Sequence, residues 1–424
     1  IGTAEGMEVR PLITSIPETP QQMAALRQAI QNNPAYINSI ISQDERTAVI
    51  VVSFKNGKGG FRGMMDTANK ALDSVRDDTV DIAIGGLPSF LSRIEIYSER
   101  MGILLPLAIL LVGLILFEAF RSFQGMILPL ITAILAVAWG VGTMGAVGVP
   151  MDVFNATTPI LILAVAAGHA VQLLKRYYEE YYRIMDRNTA GTTMTPREAN
   201  RLAVIDSLSK AGPVMMVAGM VAALGFFSLM VFEITTVRTF GIFTGVGILA
   251  ALTLEMTFIP AIRSMLKPPS DQDRLLEKRI RIWDIIVHKI AHQVTNHRQR
   301  VFSVAAGLIV IGLFGMSLVV TNNSTKSYFS QDATFMQEDR FLNAHIGGTN
   351  TLSLLIEGKN DDAIKDPKVL QAMDEIQQFL NQQQYVGKTL SIADFIKRMN
   401  QAMHSDDPAF YKIPEDGNLI SQFL

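Results

Sequence analysis

Long apolar runs dominate the pattern of this chain and alternate with charged connections. A transmembrane α-helix needs about 20 mostly apolar residues. Six stretches approach or exceed that length with few charges, and we predict that each crosses a membrane. They are residues 101–120, 126–147, 153–174, 214–232 with its flanks, 239–266 and 301–320.

The two ends of the chain follow a different pattern, with shorter segments typical of a mixed α/β fold. Segments 46–54 and 80–84 are β-branched and apolar, which predicts buried strands, and an amphipathic helix at 61–77 lies between them. Another strand is predicted at 351–356. Helices follow at 368–380, capped by Asp366, and at 391–403, capped by Ser391. We therefore expect two related α/β lobes, each built on a strand–helix–strand core.

The order of these segments predicts five parts. They are a partial α/β domain at 1–100, five spans within 101–266 with a cytoplasmic loop at 175–211, a basic amphipathic linker at 267–300, a sixth span at 301–320, and a second partial α/β domain at 321–424. A single span followed by a second polar domain suggests that a duplicated unit begins again. We expect the chain to be part of a longer protein.

The basic residues are unevenly shared between the connections. Arg121 and the two long connections at 175–211 and 267–300 carry most of the Lys and Arg, whereas the turns at 148–152 and 233–238 hold only Arg238. The positive-inside rule puts the basic connections in the cytoplasm and both α/β domains on the opposite side.

Composition argues against several other functions. The net charge of −2 gives no indication of a nucleic-acid partner, and with no cysteine the chain has no disulfide framework. The sequence has no Walker loop, and its histidines lack metal-ligand spacing. We predict a protein that is not an enzyme and that uses neither a cofactor nor a metal.

One predicted span carries a titratable residue at membrane depth. His169 lies in the apolar run 161–174, which continues without a break into a charged, tyrosine-rich tail. Ionisable residues inside membrane spans are costly and are functional candidates by default. Helical spacing places His169 on one face with other polar residues, away from Ile160, Leu163 and Leu174, which we predict to face lipid. This polar stripe consists of Asn155, Thr158, His169, Gln172 and Arg176.

His169 has two interpretations. The unperturbed pKa of histidine, near 6.5, suits a residue that loads and releases a proton. Alternatively, its ring donates to a carbonyl of a neighbouring helix and holds the bundle together. Glu255, in the predicted span 239–266, is the second candidate, either as the partner of His169 or as a residue that reaches water or Arg263. Gln172 completes the predicted proton relay.

Several stretches together resemble a known family. They include Phe120-Arg121-Ser122 at a span exit, Gly168 through Glu180 with its Arg176-Tyr177 pair, Phe240-Gly241-Ile242-Phe243, and Phe258-Ile259-Pro260. Lys365-Asp366-Pro367 and Ser391-Ile392-Ala393-Asp394 extend the likeness to the second α/β domain. The chain resembles the resistance-nodulation-division (RND) superfamily in its MMPL-like and sterol-sensing-domain-like branch.

The resemblance implies a polytopic α-helical protein of the bacterial inner membrane with large periplasmic, ferredoxin-like porter domains. This chain would hold about half of a twelve-span fold. Its implied function is secondary transport, driven by protons, that exports or relocates a lipid-like or hydrophobic molecule. Implied partners are membrane lipids, further copies of the chain and periplasmic accessory proteins. The alternatives are a non-transporting sensor or scaffold and an accessory subunit of protein export.

One position departs from the family pattern. Many members carry an Asp-Tyr pair in the span that corresponds to 153–174, and the Asp takes the coupling proton. Alignment on Arg176-Tyr177 puts Gly168 at the Asp position and His169 at the Tyr position. We predict that His169 replaces the missing acid and that Glu255 is its partner.

Overall fold

The computed structural model describes residues 2–3, 6–7, 13, 15–55, 59–77, 79–188, 194–269, 282–322 and 324–424. Two short strands, β1 (Gly2–Thr3) and β2 (Gly6–Met7), pair antiparallel. The helices are α1 (Pro20–Gln31), α2 (Gly60–Asp73), α3 (Leu87–Met101), α4 (Leu104–Phe120), α5 (Phe123–Ala146), α6 (Thr158–Asn188), α7 (Pro196–Phe227), α8 (Thr235–Met265), α9 (Ile282–Asn296), α10 (Arg298–Ser317), α11 (Thr334–His345), α12 (Pro367–Asn381), α13 (Ile392–Met403) and α14 (Gly417–Phe423).

The chain divides into two compact units. One, the membrane unit, is Ile94–Thr321. The other, the terminal unit, combines Ile1–Arg93 with Asn322–Leu424. The second unit therefore brings together the two ends of the chain, which the sequence predicted as separate lobes.

The chain is a helical polytopic membrane protein with six candidate spans, as predicted. The spans are Leu87–Phe120, Phe123–Ala146, Asn155–Arg187, Pro196–Val231, Thr235–Met265 and Arg298–Ser317. Each is long and apolar enough to cross a bilayer. The third and fourth extend well beyond the predicted apolar runs, because α6 and α7 continue as helix into the charged sequence on either side of 189–193.

Two helices form the centre of the membrane unit. α8 packs against α5, α6 and α7, and α6 also packs against α4, α5 and α7. Half of the residues in the most apolar stretch of α6 are buried, and the same is true of α8. The most apolar stretch of α10 is exposed throughout. Polar residues on α6 and α8 therefore lie inside the protein, while the large apolar side chains of α10 are available to lipid or to other spans.

The predicted α/β cores are not formed in the described residues, and this expectation was wrong. Segments 46–54, 80–84 and 351–356 form no described strand, and the described pairing in the first is an isolated bridge between Ile41 and Ala48. Ile50, Val51 and Leu355 are 87%, 74% and 92% exposed. A β-strand needs a neighbouring strand for its N–H and C=O groups, so β propensity alone did not make strands of these segments. No ferredoxin-like domain is seen in the described residues.

The predicted helices of the terminal unit are present, with their caps. The Asp366 side chain accepts from Lys368 N at 2.9 Å at the start of α12. At the start of α13, Ser391 Oγ accepts from Ala393 N at 3.0 Å, and Asp394 accepts from Ser391 N at 3.0 Å. A core of Leu370, Ile396, Ile413 and Ile420 holds this region together. Local sequence signals therefore sufficed here.

Contacts within the terminal unit join its two stretches of chain. Gly347 N donates to the carbonyl of Asn38 at 2.8 Å, and Lys388 Nζ donates to the carbonyl of Pro34 at 3.0 Å. The ring of Phe90 lies edge-on to Phe335, with centroids 5.7 Å apart.

The predicted basic linker at 267–300 is described at 267–269 and 282–300. There it contains the helix α9, on which Ile286 and Ile290 are exposed. Two further apolar residues of the linker, Ile280 and Trp283, fall outside the described side chains.

Candidate functional site

Helices α6 and α8 lie side by side, run in the same direction and meet in register. Thr158 of α6 contacts Thr244 of α8, and Tyr177 contacts Arg263. Between them, His169 faces Glu255. The partners in all three pairs are 86 residues apart in the chain, as expected for parallel helices with the same rise per residue. The α6–α8 interface is therefore a column of polar pairs separated by apolar layers.

The first group of polar residues lies at the N-terminal ends of both helices, and we call it the outer polar group (Asp152, Asn155, Thr158, Thr239 and Thr244). Asn155 Nδ2 donates to Asp152 Oδ2 at 2.9 Å and to Thr239 Oγ1 at 3.1 Å. Asn155 Oδ1 is buried and has no hydrogen-bond partner among the described residues. The hydroxyls of Thr158 and Thr244, both fully buried, are 3.3 Å apart.

The second pair is His169 and Glu255. The distance from His169 Nδ1 to Glu255 Oε2 is 3.5 Å, and the two side chains are 17% and 0% exposed. This is an ion-pair distance, but it exceeds the usual hydrogen-bond range of about 2.7–3.2 Å. Neither carboxylate oxygen of Glu255 has a hydrogen-bond partner among the described residues, and Nδ1 of His169 has none either. The Glu255 carboxyl group is thus fully buried, and its ion-pair partner among the described residues is His169.

Such an arrangement is expensive for a charged carboxylate, because desolvation is offset only when hydrogen bonds and an opposite charge replace the lost water. An imidazole and a carboxyl group together can hold one proton and pass it between them. The geometry therefore permits a titratable centre in the membrane interior. In the described part of the chain, no three His, Asp or Glu side chains converge as a metal site would require.

The third group is a hydrogen-bonded network around Arg263, which is 2% exposed. Arg263 Nη1 donates to Gln124 Oε1 at 2.8 Å, and Nη2 donates to the Tyr177 hydroxyl at 2.8 Å and to the Lys267 carbonyl at 3.1 Å. The Tyr177 hydroxyl donates to Asn200 Oδ1 at 2.5 Å. This Arg263 network ties α5, α6, α7 and α8 together at one end of the bundle.

The Tyr177 ring strengthens that network. The Arg263 guanidinium carbon lies 4.5 Å from the ring centroid, which is cation–π distance. Asn200 Nδ2 also donates to the carbonyl of Arg263 at 3.2 Å, close to the C-terminal end of α8. Arg263 is thus held by side chains, by backbone and by an aromatic face.

A further acidic residue lies close by but belongs to an ion-pair cluster. Glu180 is 2% exposed, and Lys210 Nζ donates to its Oε1 at 2.7 Å. Arg176 Nη2 is 2.9 Å from the same oxygen, and Arg183 pairs with the other. Three cations thus surround one carboxylate between α6 and α7.

The predicted polar stripe is only partly correct in its contacts. Asn155, Thr158 and His169 face α8, as helical spacing indicated. Gln172 lies on the exposed side of α6 instead. Arg176 pairs with Glu179 and Glu180 of its own helix, so it is not part of the column.

The prediction that Leu163 and Leu174 face lipid was wrong, since they are 1% and 2% exposed. Ile160 is partly buried. The reason is that α6 is surrounded by α4, α5, α7 and α8, and its exposed strip through the membrane is the narrow row Ala164, Gly168 and Gln172.

The alternative reading of Glu255, in which it reaches water or Arg263, does not match its position. Glu255 is fully buried against His169, and Arg263 is engaged by Tyr177 and Gln124. Sequence reasoning missed the Arg263 network itself. The sequence did contain an indication of the Tyr177–Arg263 contact. Tyr177 follows His169 by eight residues and Arg263 follows Glu255 by eight, so on parallel helices a contact between His169 and Glu255 implies one between Tyr177 and Arg263.

Comparison with known proteins gives a consistent picture. Residues 2–294 match the model of the MMPL family. A membrane protein of Methanocaldococcus jannaschii, MJ1562, is 21% identical over 57% of this chain and 61% of its own length. Two membrane proteins of Streptomyces coelicolor, SCO5905 and ActII-3, are 25% and 26% identical over 65% and 52% of this chain. The chain spans 32% and 30% of those two relatives.

Proposed function

This chain belongs to the MMPL family of membrane proteins, and on that premise we propose that it is a secondary transporter driven by proton movement through the His169–Glu255 pair. The proposed cargo is a lipid-like or other hydrophobic molecule, exported or relocated across the bacterial inner membrane. Membrane lipids, further copies of the chain and periplasmic accessory proteins are its proposed partners.

The observation that carries the proposal is the environment of Glu255. Its carboxyl group is fully buried at the centre of a membrane bundle, with no hydrogen bond to a described residue and with a histidine 3.5 Å away. A group that served only to join α6 to α8 would be expected to form a short hydrogen bond, as Tyr177 and Arg263 do. An incompletely bonded ionisable pair is instead typical of a group that changes its protonation state during work.

The proposed orientation follows from charge. Lys210 lies at the end of the N-terminal half of α7, and Arg263 and Lys267 lie at the C-terminal end of α8, on the side that the positive-inside rule assigns to the cytoplasm. The outer polar group then faces the periplasmic side. A single cysteine introduced at Ser122 should react with a membrane-impermeant maleimide only from the cytoplasmic side, and labelling from the outside would invert this topology.

A non-transporting sensor or scaffold is the second candidate. The observation that favours it is the Gly168-His169 pair, where many family members carry Asp-Tyr. In a sensor, the His169–Glu255 pair would bias a conformation without carrying protons through the protein.

The deciding experiment uses the protein reconstituted into phosphatidylethanolamine–phosphatidylglycerol vesicles that contain the pH dye pyranine. A fluorescent, nitrobenzoxadiazole-labelled phosphatidylethanolamine serves as the lipid probe, and its sidedness is read by dithionite quenching. An imposed pH gradient should drive redistribution of the probe together with proton flux. A sensor would give neither.

Variants at the pair separate titration from structure. His169→Asn keeps a hydrogen-bonding group but cannot titrate, and Glu255→Gln preserves shape without charge. We expect both to lower gradient-driven redistribution at least tenfold while the protein elutes as a single species. Thr253→Ser, on the exposed side of α8, is the matched control and should transport normally. Normal transport by His169→Asn and Glu255→Gln would refute the proposed coupling.

A further inference from the structure

One apolar layer separates the outer polar group from the His169–Glu255 pair. Thr158, Ile162 and His169 of α6 contact α8, and Val165 shares their face by helical spacing, at successive spacings of four, three and four. Ile162 is fully buried and lies one turn beyond Thr158 and about 10 Å before His169 along the helix axis. The corresponding position of α8 is Ile248, which is 1% exposed.

Ile162 sits in a notch made by two glycines. A Cβ atom added at Gly140 of α5 would lie 2.6 Å from Ile162 Cδ1 and 3.2 Å from the Cα of Gly247 in α8. A Cβ added at Gly247 would overlap the same Cδ1 atom and would lie 2.6 Å from Ile162 Cγ1. No side chain other than hydrogen fits at either position without movement, so the backbones of α5 and α8 close tightly around the end of the Ile162 side chain.

We propose that Ile162, seated in the Gly140–Gly247 notch, is the gate that separates the outer polar group from the His169–Glu255 pair. This inference rests on the proposed function. On the described facing positions of α6 and α8 between Thr158 and His169 every residue is apolar, so none of them supports a water chain. A proton from the outer side reaches Glu255 only when Ile162 leaves the notch, which requires α6 to separate from α5 and α8.

The arrangement fits a gate better than simple packing at two points. The layer is two residues thick on each helix, Ile162 and Val165 on α6 and Ile248 and Ala251 on α8, with the outer hydroxyls one turn before it and the titratable pair one turn after it. On the outer side, Asn155 Oδ1 is buried without a described hydrogen-bond partner, so a polar acceptor is available next to the barrier. Transient water entering from that side would satisfy it.

The test measures passive proton entry into pyranine-loaded vesicles that contain the protein, under an imposed pH gradient with valinomycin and potassium to remove the membrane potential. Ile162→Val deletes the Cδ1 methyl that occupies the notch and little else. We expect it to raise protein-dependent proton entry at least threefold, and Ile162→Ala to raise it at least tenfold. Ile259→Val is the matched control, because it removes the same atom from an equally buried isoleucine of α8 on the other side of Glu255.

The route is tested by a second substitution. If protons pass the gate and then use Glu255, the double variant Ile162→Val with Glu255→Gln should return to the wild-type rate of entry. A leak that survives Glu255→Gln would show a nonspecific defect and overturn the gate. Unchanged entry in both Ile162 variants would also overturn it, even where His169→Asn and Glu255→Gln abolish transport and so uphold the proposed function.

Discussion

Two buried charged residues of α8 differ in the hydrogen bonds that their surroundings provide. Glu255 and Arg263 are eight residues apart and are 0% and 2% exposed. Arg263 donates three hydrogen bonds and lies over the Tyr177 ring, whereas neither oxygen of Glu255 has a hydrogen-bond partner among the described residues. The two residues share a helix, a depth of burial and a facing helix, so the difference lies in their partners alone.

The contrast separates a structural charge from a working one. Arg263 is hydrogen-bonded through both Nη atoms, although its Nε has no hydrogen-bond partner among the described residues, and breaking such an arrangement is costly. A buried carboxyl group with a single loose partner adds little stability but can gain or lose a proton. We therefore read the Arg263 network as the fixed end of the α6–α8 interface and the His169–Glu255 pair as the end that changes during transport.

The largest effect is expected for Arg263→Ala. It leaves the buried Tyr177 hydroxyl, Gln124 and the Lys267 carbonyl without their donor, and we expect a loss of roughly 3–5 kcal/mol, comparable to breaking a buried charge pair. Thermal unfolding in detergent, followed by size-exclusion chromatography, measures it. The exposed Arg201 of α7 provides the control, because Arg201→Ala should change the unfolding temperature little. Equal unfolding temperatures for the two variants would contradict a structural role for Arg263.

A smaller loss is expected for Tyr177→Phe. The change removes only the hydroxyl that accepts from Arg263 and donates to Asn200, and it keeps the ring beneath the guanidinium. Leaving one buried donor and one buried acceptor unpaired should cost about 1–3 kcal/mol. The same unfolding assay measures it, with transport by the surviving folded protein retained. A variant that is stable but does not transport would instead show that Tyr177 takes part in transport.

Glu255→Gln should hardly change stability, which is the sharpest form of the contrast. Removing a buried charge that lacks hydrogen bonds relieves desolvation, so the free energy of unfolding should change by less than about 1 kcal/mol and can increase. Gradient-driven transport should nevertheless be lost. A destabilisation as large as that of Arg263→Ala would show that the carboxylate is structural.

The smallest effect concerns Lys397 in the terminal unit, a partly buried cation that is well paired. Burial alone would lower its pKa, but the hydrogen bond from Lys397 to Asp374 (2.6 Å) and the charges of Asp374 and Asp394 raise it above the ordinary value. Its stabilisation is therefore present at neutral pH and is lost as pH rises through the raised pKa, above about 10.5. Lys397→Met should weaken this alkaline loss. An unchanged dependence of unfolding temperature on pH between 9 and 11.5 would argue against it.

Much of the local structure could be predicted from residues close together in the chain. Ser391 and Asp366 cap their helices because the capping side chain needs only the backbone N–H groups two or three residues away. The same holds for the spans, whose apolar runs predict membrane helices whatever their neighbours. The strand at 46–54 failed because a strand takes its hydrogen bonds from a distant segment, and β propensity does not say whether that segment is in place.

The residues of the site could be predicted only where local sequence patterns reveal them. His169 and Glu255 were recognisable because an ionisable group in an apolar run is conspicuous in any fold. Their contact follows from the parallel register of α6 and α8, which no local pattern encodes. In the sequence Arg263 entered only as the alternative partner of Glu255, and the convergence of α5, α6 and α7 on α8 is what buries it.

The sequence by itself determined that this is a membrane protein with six candidate spans, which residues share a helical face, and where titratable groups enter the bilayer. Tertiary structure decided what each face meets. It buried Leu163 and Leu174, exposed Gln172, turned Arg176 towards Glu180, and closed Gly140 and Gly247 around Ile162. Helical periodicity specifies directions around one axis, but the neighbour in each direction depends on how all the helices pack together.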